Sequence, residues 1–412
     1  MIRECIVWLV LVGLPASAVA ADKPAELDRA ALEAALDRAL PAIMEKDKIP
    51  GAIVVVGVKG NAGYEVWRKV WGYRRIEPTR EPMTPDAVFD LASMTKPIAT
   101  GTCLMVLVDQ GKVRLDDPVG KYLPEFNEGD KKNVTVRQLM THMSGMKPYV
   151  HAKEQEKLKA EAGFPCRDLL RTYIRKLDLE RKPGEAVVYS CLNAILCAEI
   201  VRTVSKMELN EFAARHVLGP MKLQDTGFLP PDSLRGRLIP TTKTDYGRGE
   251  GGFLLGQVHD PLAAMQGGVS GNAGLFSTAA DLSRFVQMML NGGELDGVRI
   301  LEKSTVDQMT RLQNPDGKSV NGKPDRRGLL WDLYHPDPGD TGVDALYGYG
   351  HTGYTGSAIR IYPEQNVYIL ALTNRVHPDD SGKVEAFRTA VWRTVGRVVM
   401  KTERTDTAPL NE

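Results

Sequence analysis

The segment Phe89–Pro97 reads Phe-Asp-Leu-Ala-Ser-Met-Thr-Lys-Pro, and an apolar stretch at 98–108 follows it. Ser93 and Lys96 form an S-x-x-K pair at the start of that stretch. If Ser93 opens a helix here, Lys96 lies one turn later on the same face. The N-terminus of a helix favours negative charge on the serine oxygen, and a lysine that burial and nearby cations keep neutral can accept the serine proton. The segment therefore predicts a nucleophilic serine; an N-capping serine with a solvated lysine is the alternative.

The same S-x-x-K pattern recurs at Ser144-Gly145-Met146-Lys147. About one or two copies are expected by chance in a chain of this length and of average composition. The second copy precedes Pro148 and opens no apolar helix. We therefore interpret Ser93 as the functional copy and Ser144 as a coincidental one.

Two further segments carry groups that suit the same chemistry. Tyr189 precedes an apolar helical pattern and can act as a second acid–base group if a lysine lowers its pKa. The segment Gly348–Gly356 reads Gly-Tyr-Gly-His-Thr-Gly-Tyr-Thr-Gly before a predicted strand. Glycines let a backbone approach a substrate closely, so we expect an edge strand there that offers an N–H to an oxyanion, with His351 as a hydrogen-bond donor. A buried tyrosine and a glycine-rich turn with a surface histidine are the structural alternatives.

The two ends of the chain share one pattern of predicted elements. Alternating or continuously apolar runs predict four strands, at 51–58, 64–73, 357–362 and 367–373. Helical periodicity flanks them at 25–45 and beyond Phe387. Residues from 110 to 325 show mostly helical periodicity broken by glycine and proline. The expected fold is therefore α/β (α+β): an antiparallel sheet built from both ends, flanked by helices, with an inserted helical lobe.

Length and the N-terminus set the predicted domain organisation. A single core stops growing near about 250–300 residues, so a chain of 412 residues should form two lobes with a cleft between them. We expect a sheet lobe at 21–110 and 326–400, an inserted helical lobe at 111–325, and a C-terminal tail at 401–412. The positive start Met1–Arg3, the apolar run Ile6–Leu14 and the small residues Ala18–Ala20 predict a cleaved signal peptide at 1–20.

Export to the periplasm or the medium follows from that signal, with an uncleaved anchor as the alternative, and we expect no stable membrane insertion after cleavage. Disulfides are permitted in such a compartment, but the sequence does not pair Cys103, Cys166, Cys191 and Cys197. A formal net charge of +1 offers no basic excess for nucleic acid. No metal-ligand spacing and no phosphate loop is readable, so we expect no cofactor.

The motifs, taken in order, resemble the serine β-lactamase and penicillin-recognising superfamily, and above all its branch of class C β-lactamases, D,D-peptidases and esterases. The order of the motifs is S-x-x-K, then Y-x-x, then H-T-G. Four longer segments are also very similar to that branch: 89–97, 115–124, 134–145 and 273–282. The resemblance extends from about residue 35 to residue 400.

The resemblance implies a role for each motif residue. Ser93 would be the acylated nucleophile, and Lys96 its partner in proton transfer. Tyr189 would be the general acid–base that also activates the deacylating water. The backbone N–H groups of Ser93 and Tyr354 would form the oxyanion hole. The place of the family's Lys-Thr-Gly would be taken by His351, Thr352 and Gly353.

Two departures from the family pattern favour an esterase. Cys191 stands where the family often has an asparagine that binds the substrate amide, and Asn193 is a possible substitute. His351 replaces a lysine and is only partly charged at neutral pH, so a carboxylate-bearing β-lactam should bind less well. We therefore expect an exported serine hydrolase that cleaves small-molecule esters, peptides or β-lactams through an acyl-enzyme, with ester cleavage foremost. The alternatives are a D,D-peptidase or class C-type β-lactamase, a related acyl transferase, and a non-catalytic protein that binds cell-wall peptides.

Overall fold

A computed structural model describes residues 25–314, 317–337 and 339–402. The predicted signal peptide lies outside these residues, as does the predicted tail from residue 403 onward. The strands of the described chain are β1 Gly51–Gly60, β2 Gly63–Arg75, β3 Glu81–Pro82, β4 Val88–Asp90, β5 Gly227–Phe228, β6 Leu275–Thr278, β7 Glu294–Leu295, β8 Val298–Arg299, β9 Asp332–Tyr334, β10 Gly348–Thr352, β11 Ala358–Tyr362 and β12 Val367–Thr373.

The α-helices alternate with these strands mainly in the middle of the chain. They are α1 Arg29–Lys46, α2 Thr102–Asp109, α3 Val136–Met140, α4 Ala152–Ala162, α5 Arg167–Lys176, α6 Cys191–Ser205, α7 Leu209–Ala213, α8 Pro261–Met265, α9 Ala279–Leu290, α10 Lys303–Thr310 and α11 Glu385–Val398. Among the described residues, no helix is long and apolar enough to span a bilayer.

The central element is a seven-stranded antiparallel sheet in the order β3-β2-β1-β12-β11-β10-β9. Strand β1 pairs with β2 on one side and β12 on the other, with Val55 opposite Leu370. Its apolar run is buried along most of its length because both faces of the sheet are covered. Val54 packs toward the terminal helices α1 and α11, and Val55 packs toward the helical middle of the chain.

Both ends of the chain thus contribute to one sheet, and the residues between them are mostly helical. The predicted fold class is confirmed by this topology. The predicted strands differ from the observed ones by only a few residues at their ends. The boundaries given above for the two lobes stay a prediction.

A second, three-stranded sheet positions the segment that contains Ser93. Strand β4 ends at Asp90 and pairs with β6, which also pairs with β5. Ser93 does not open a regular α-helix: residues 92–94 form a 3₁₀ turn, and 96–101 form a wider π-helical stretch before α2. Pro97 has no backbone N–H, so the ordinary hydrogen bond back to residue 93 cannot form.

Candidate active site

The Ser93 and Lys96 side chains meet as the sequence predicted. Lys96 Nζ donates a hydrogen bond to Ser93 Oγ at 2.9 Å. Lys96 is fully buried, whereas Ser93 is partly exposed and open to a substrate. The 3₁₀ turn and the π-helical stretch therefore bring the two groups together without a regular helix.

Two further contacts hold the Lys96 ammonium in place. Lys96 Nζ donates to the backbone carbonyl of Asn272 at 3.0 Å and lies 3.6 Å from Cys191 Sγ. Asn272 is itself held by a hydrogen bond from its Nδ2 to Asp260 Oδ1 at 2.9 Å. The segment that precedes β6 thus supplies a fixed acceptor for Lys96.

The charge state of Lys96 differs from the expectation of a neutral amine. Burial lowers the pKa of Lys96, but its interactions with Cys191 and Tyr189 more than offset that effect, so the pKa lies above its ordinary value. The ammonium form is therefore favoured, and it suits Lys96 as a donor to Ser93 Oγ.

Tyr189 lies two residues before α6, whose N-cap is Ser190. Its ring centroid is 5.0 Å from Lys96 Nζ. Burial raises the pKa of the Tyr189 phenol above its ordinary value, and the positive charge of Lys96 and hydrogen bonding with Lys96 and Ser93 offset only part of that rise. Tyr189, Lys96 and Ser93 consequently form one cluster within which a proton can move.

Arg327 is a component of this cluster that the sequence did not reveal. Its guanidinium carbon lies 5.7 Å from the centroid of the Tyr189 ring. Asp325 and Asp332 pair with the guanidinium. No motif contains Arg327, and only its position near β9 brings it to Tyr189.

The sequence predicts an edge strand at His351, but the strand that carries His351 lies one place inside the edge of the sheet. Strand β10 pairs with β11 on one side and with the short β9 on the other. Strand β9 covers only Gly348 to Gly350, because it has three residues. The end of β10, at His351 and Thr352, is therefore left uncovered on that side and remains able to line a site.

The segment after β10 lies directly against the Ser93 segment. Thr355 Oγ1 donates to the carbonyl of Asp90 at 2.7 Å. Gly353 approaches so closely that a Cβ there would lie 2.4 Å from the Leu91 carbonyl oxygen, so only glycine fits. These contacts bring the backbone around Tyr354 to the backbone around Ser93, as a two-donor oxyanion hole requires.

The Tyr354 side chain is fixed at the mouth of the site although it is 55% exposed. Its hydroxyl donates to Asp380, and the Arg375 guanidinium lies over its ring at 4.3 Å. The His259 ring stacks on the Tyr354 ring, with centroids 5.6 Å apart. The same His259 donates its backbone N–H to Asp90 Oδ2 at 2.7 Å, which joins this loop to the Ser93 segment.

His351 is buried and presents a defined tautomer. Its Nδ1 lies 2.8 Å from the carbonyl oxygen of Thr352, which can only accept, so Nδ1 carries the proton. Burial lowers the pKa of His351 to about 4, against the opposing effect of Asp332. The imidazole is therefore neutral at pH 7, and its buried Nε2 finds no partner among the described residues.

Asn193 is placed differently from the expected substrate-binding role. It is 1% exposed, its Oδ1 accepts a hydrogen bond from Ser144 Oγ at 2.6 Å, and its Nδ2 lies 3.5 Å from His142 Nδ1. These contacts occupy the carboxamide, so we do not assign it to the substrate. The second S-x-x-K copy has a structural role: Ser144 binds Asn193, and Lys147 pairs with Glu154 at 3.0 Å rather than with Ser144.

A cavity of about 320 Å³ lies beside the loop that carries His259. Its walls include Phe164, Leu229 and Tyr246, which are 45%, 53% and 37% exposed. The wall residue Val258 directly precedes His259, which stacks on Tyr354. The cavity is mainly apolar, with Arg248 at its lining.

The site holds no evident metal ligands, since no group of three or more His, Cys, Asp or Glu side chains in the described ranges could hold an ion. The four cysteines among the described residues of the chain are free thiols. The residues that sequence reasoning missed are Asn272, which acts through its carbonyl, and Arg327.

Comparison with known proteins agrees with this arrangement. A family model described as Beta-lactamase matches residues 36–391. A curated relative from Salmonella typhimurium, which carries the provisional name of a D-alanyl-D-alanine carboxypeptidase, is 31% identical over 345 residues, or 76% of each chain.

Solved structures show the same fold at lower identity. The octameric penicillin-binding protein homologue from Pyrococcus abyssi has a TM-score of 0.66 and 22% identity, over 90% of this chain and 76% of that one. A class C beta-lactamase has a TM-score of 0.68 and 17% identity, over 90% of this chain and 97% of that one. From the family match and the curated relative, the chain belongs to the beta-lactamase family and is a serine hydrolase.

Proposed function

We propose that this serine hydrolase cleaves carboxylic esters through an acyl-enzyme on Ser93, and that it acts after export. The observation that carries the ester preference is the neutral His351, whose Nδ1 proton is committed to the Thr352 carbonyl. A site for β-lactams or peptide carboxylates benefits from a cation at this position, and a neutral imidazole provides none. Export rests on the N-terminal sequence pattern alone.

The chemistry begins with attack of Ser93 Oγ on the ester carbonyl carbon. The hydroxyl proton passes to the Tyr189 oxygen in its phenolate form. Burial makes this form the minor one, and the positive charge of Lys96 favours it. The backbone N–H groups of Ser93 and Tyr354 hold the oxyanion. Tyr189 then returns the proton to the departing alcohol. In the second half, water gives a proton to Tyr189 and attacks the acyl carbonyl. Tyr189 then returns that proton to Ser93 Oγ as the acid departs.

The apolar cavity supports an ester with a bulky apolar substituent. Three of its wall residues are large hydrophobic side chains exposed to solvent, namely Phe164, Leu229 and Tyr246. Clustered exposed apolar side chains favour ligand binding, because covering them removes apolar surface from water. Cys191 in the place of an amide-binding asparagine further disfavours peptide substrates.

D-alanyl-D-alanine carboxypeptidase activity is the second candidate. The curated relatives carry provisional names for that activity. The two candidates differ in the substrate end that meets His351: an ester with a neutral alcohol needs no cation there, whereas a terminal D-alanine carboxylate does.

Substrate panels separate the two candidates. We would compare kcat/KM for p-nitrophenyl butyrate, a diacetyl-Lys-D-Ala-D-Ala peptide and nitrocefin with the purified chain. The proposal predicts the highest value for the ester by at least tenfold. A higher value for the peptide or for nitrocefin would overturn it in favour of the corresponding activity.

A further inference from the structure

His142 lies beside Tyr189 and contacts three consecutive residues of the same segment. Its backbone carbonyl accepts the N–H of Val188 at 2.8 Å. Its Nδ1 accepts the N–H of Ser190 at 3.1 Å. Between these two contacts its ring faces the Tyr189 ring, with centroids 4.7 Å apart and planes inclined by 39°. His142 thus binds the residue before Tyr189 through its backbone carbonyl and the residue after Tyr189 through its ring nitrogen.

The hydrogen bonds fix the tautomer of His142. Nδ1 accepts a backbone N–H and must carry a lone pair, so the neutral ring has its proton on Nε2. Burial lowers the pKa of His142 well below its ordinary value, and the charges of Arg327 and Lys96 act in the same direction, as does His351. The imidazole therefore adds no cation beside Tyr189.

The backbone at His142 adopts an uncommon conformation that its surroundings must hold in place. Its φ is +57°, in the left-handed region that most side chains avoid. Such a conformation persists where surrounding contacts determine it, and it is frequent at functional sites. His142 is also 1% exposed, although its Nε2 has no hydrogen-bond partner in the part of the chain that the structure describes.

We propose that His142 is the positioning residue for Tyr189. It fixes the segment 188–190 through two backbone hydrogen bonds and sets the phenol against Lys96 and Ser93 through its ring. This inference rests on the acid–base role proposed for Tyr189. It assigns no contact between His142 and the substrate.

The test uses two substitutions that retain different parts of the imidazole. His142→Asn places an oxygen close to the position of Nδ1, and asparagine tolerates positive φ, so the bond to the Ser190 N–H survives. His142→Gln places an amide nearer Nε2 and loses that acceptor. We expect kcat on p-nitrophenyl butyrate to fall roughly 10- to 100-fold in His142→Gln, as for a lost buried hydrogen bond, and less than tenfold in His142→Asn, with KM little changed in both.

A matched control is available at a second buried histidine. His377 is 1% exposed, and its Nε2 accepts the backbone N–H groups of Ile76 and Glu77 at 3.1 and 3.3 Å. His377→Asn, whose shorter side chain does not reach the Nε2 position, loses that acceptor as His142→Gln loses its own. It should lower thermal stability and leave kcat within about twofold, because it does not touch Tyr189. An equal loss of kcat in His377→Asn and His142→Gln would overturn the proposal, since it would show a general effect on the fold.

A double-mutant cycle then asks whether His142 acts through Tyr189. In the Tyr189→Phe background, His142→Gln should reduce the remaining kcat less than twofold, because the group it positions is gone. A reduction as large as in the unmodified chain would overturn the proposal. Full activity of Tyr189→Phe alone would instead contradict the proposed function. If His142→Gln does not fold, the cycle is run with His142→Ala, and the same outcomes decide.

Discussion

Replacing His351 with lysine should restore affinity for carboxylate-bearing substrates. With a pKa of about 4, the imidazole carries a charge in about one molecule in a thousand at pH 7. His351→Lys therefore adds nearly one full positive charge at the end of β10. Asp332 favours a cation at this position, whereas Lys96 and Arg327 oppose one. The ordinary lysine pKa of about 10.4 leaves a wide margin, so the new ammonium should stay protonated at pH 7.

The expected gain follows from the strength of a charged hydrogen bond. A hydrogen bond to a charged group contributes about 1.5–3 kcal/mol, which corresponds to about a 10- to 150-fold change in affinity. We expect the ratio of kcat/KM for nitrocefin to that for p-nitrophenyl butyrate to rise by at least tenfold in His351→Lys. The ester value should change much less, because a neutral ester gains nothing from the added charge.

Steady-state kinetics on the two substrates at pH 7 check this prediction. His351→Gln is the matched control, since it changes the size and hydrogen bonding of the side chain without adding charge, and its ratio should stay within about threefold of the unmodified chain. An unchanged ratio in His351→Lys, or an equal rise in both variants, would refute the explanation of the ester preference from the neutral imidazole.

Three further results are expected. Lys96→Ala and Tyr189→Phe should each lower kcat by roughly a thousandfold, and the double variant should lose little more, because the groups act as a unit; additive losses would contradict the shared proton. Thr355→Val should lower the free energy of unfolding by about 1–3 kcal/mol in urea denaturation, through the lost bond to the Asp90 carbonyl, and an unchanged midpoint would argue against that contact. Because folding lowers the pKa of His351, the unfolded chain binds more protons than the folded chain between pH 6.5 and 4. About 3 kcal/mol of folding stability should therefore be lost as pH falls through that window. Thermal unfolding at a series of pH values should show a smaller loss in His351→Gln.

Much of the fold was predictable because its strands carry strong local patterns. The apolar run of β1 is unbroken since both faces of the sheet are covered, and the terminal hairpins have clear turns. The π-helical stretch after Ser93 was not predictable, because it depends on Pro97 within an otherwise helical pattern. The covering of β10 by β9 was also missed, since a strand of three residues leaves almost no periodic signal.

The site likewise contains residues that the sequence predicts and residues that only the fold reveals. Ser93, Lys96 and Tyr189 lie in motifs whose spacing can be read, and the structure brings them together. The carbonyl of Asn272 cannot be read from the sequence, because every residue has a backbone carbonyl and only the fold selects the one that meets Lys96. The raised pKa of Lys96 could not be read from the sequence for a related reason: it depends in part on Cys191, which is 95 residues away in the chain and 3.6 Å away in space.

The most direct test of the account is covalent labelling of the nucleophile. Intact-mass measurement after reaction with a fluorophosphonate should show one adduct per chain, and peptide mapping should place it on Ser93. The adduct should vanish in Ser93→Ala and persist in Ser144→Ala, which alters only the second S-x-x-K copy. An adduct that survives in Ser93→Ala, or one mapped to another residue, would contradict an acyl-enzyme on Ser93.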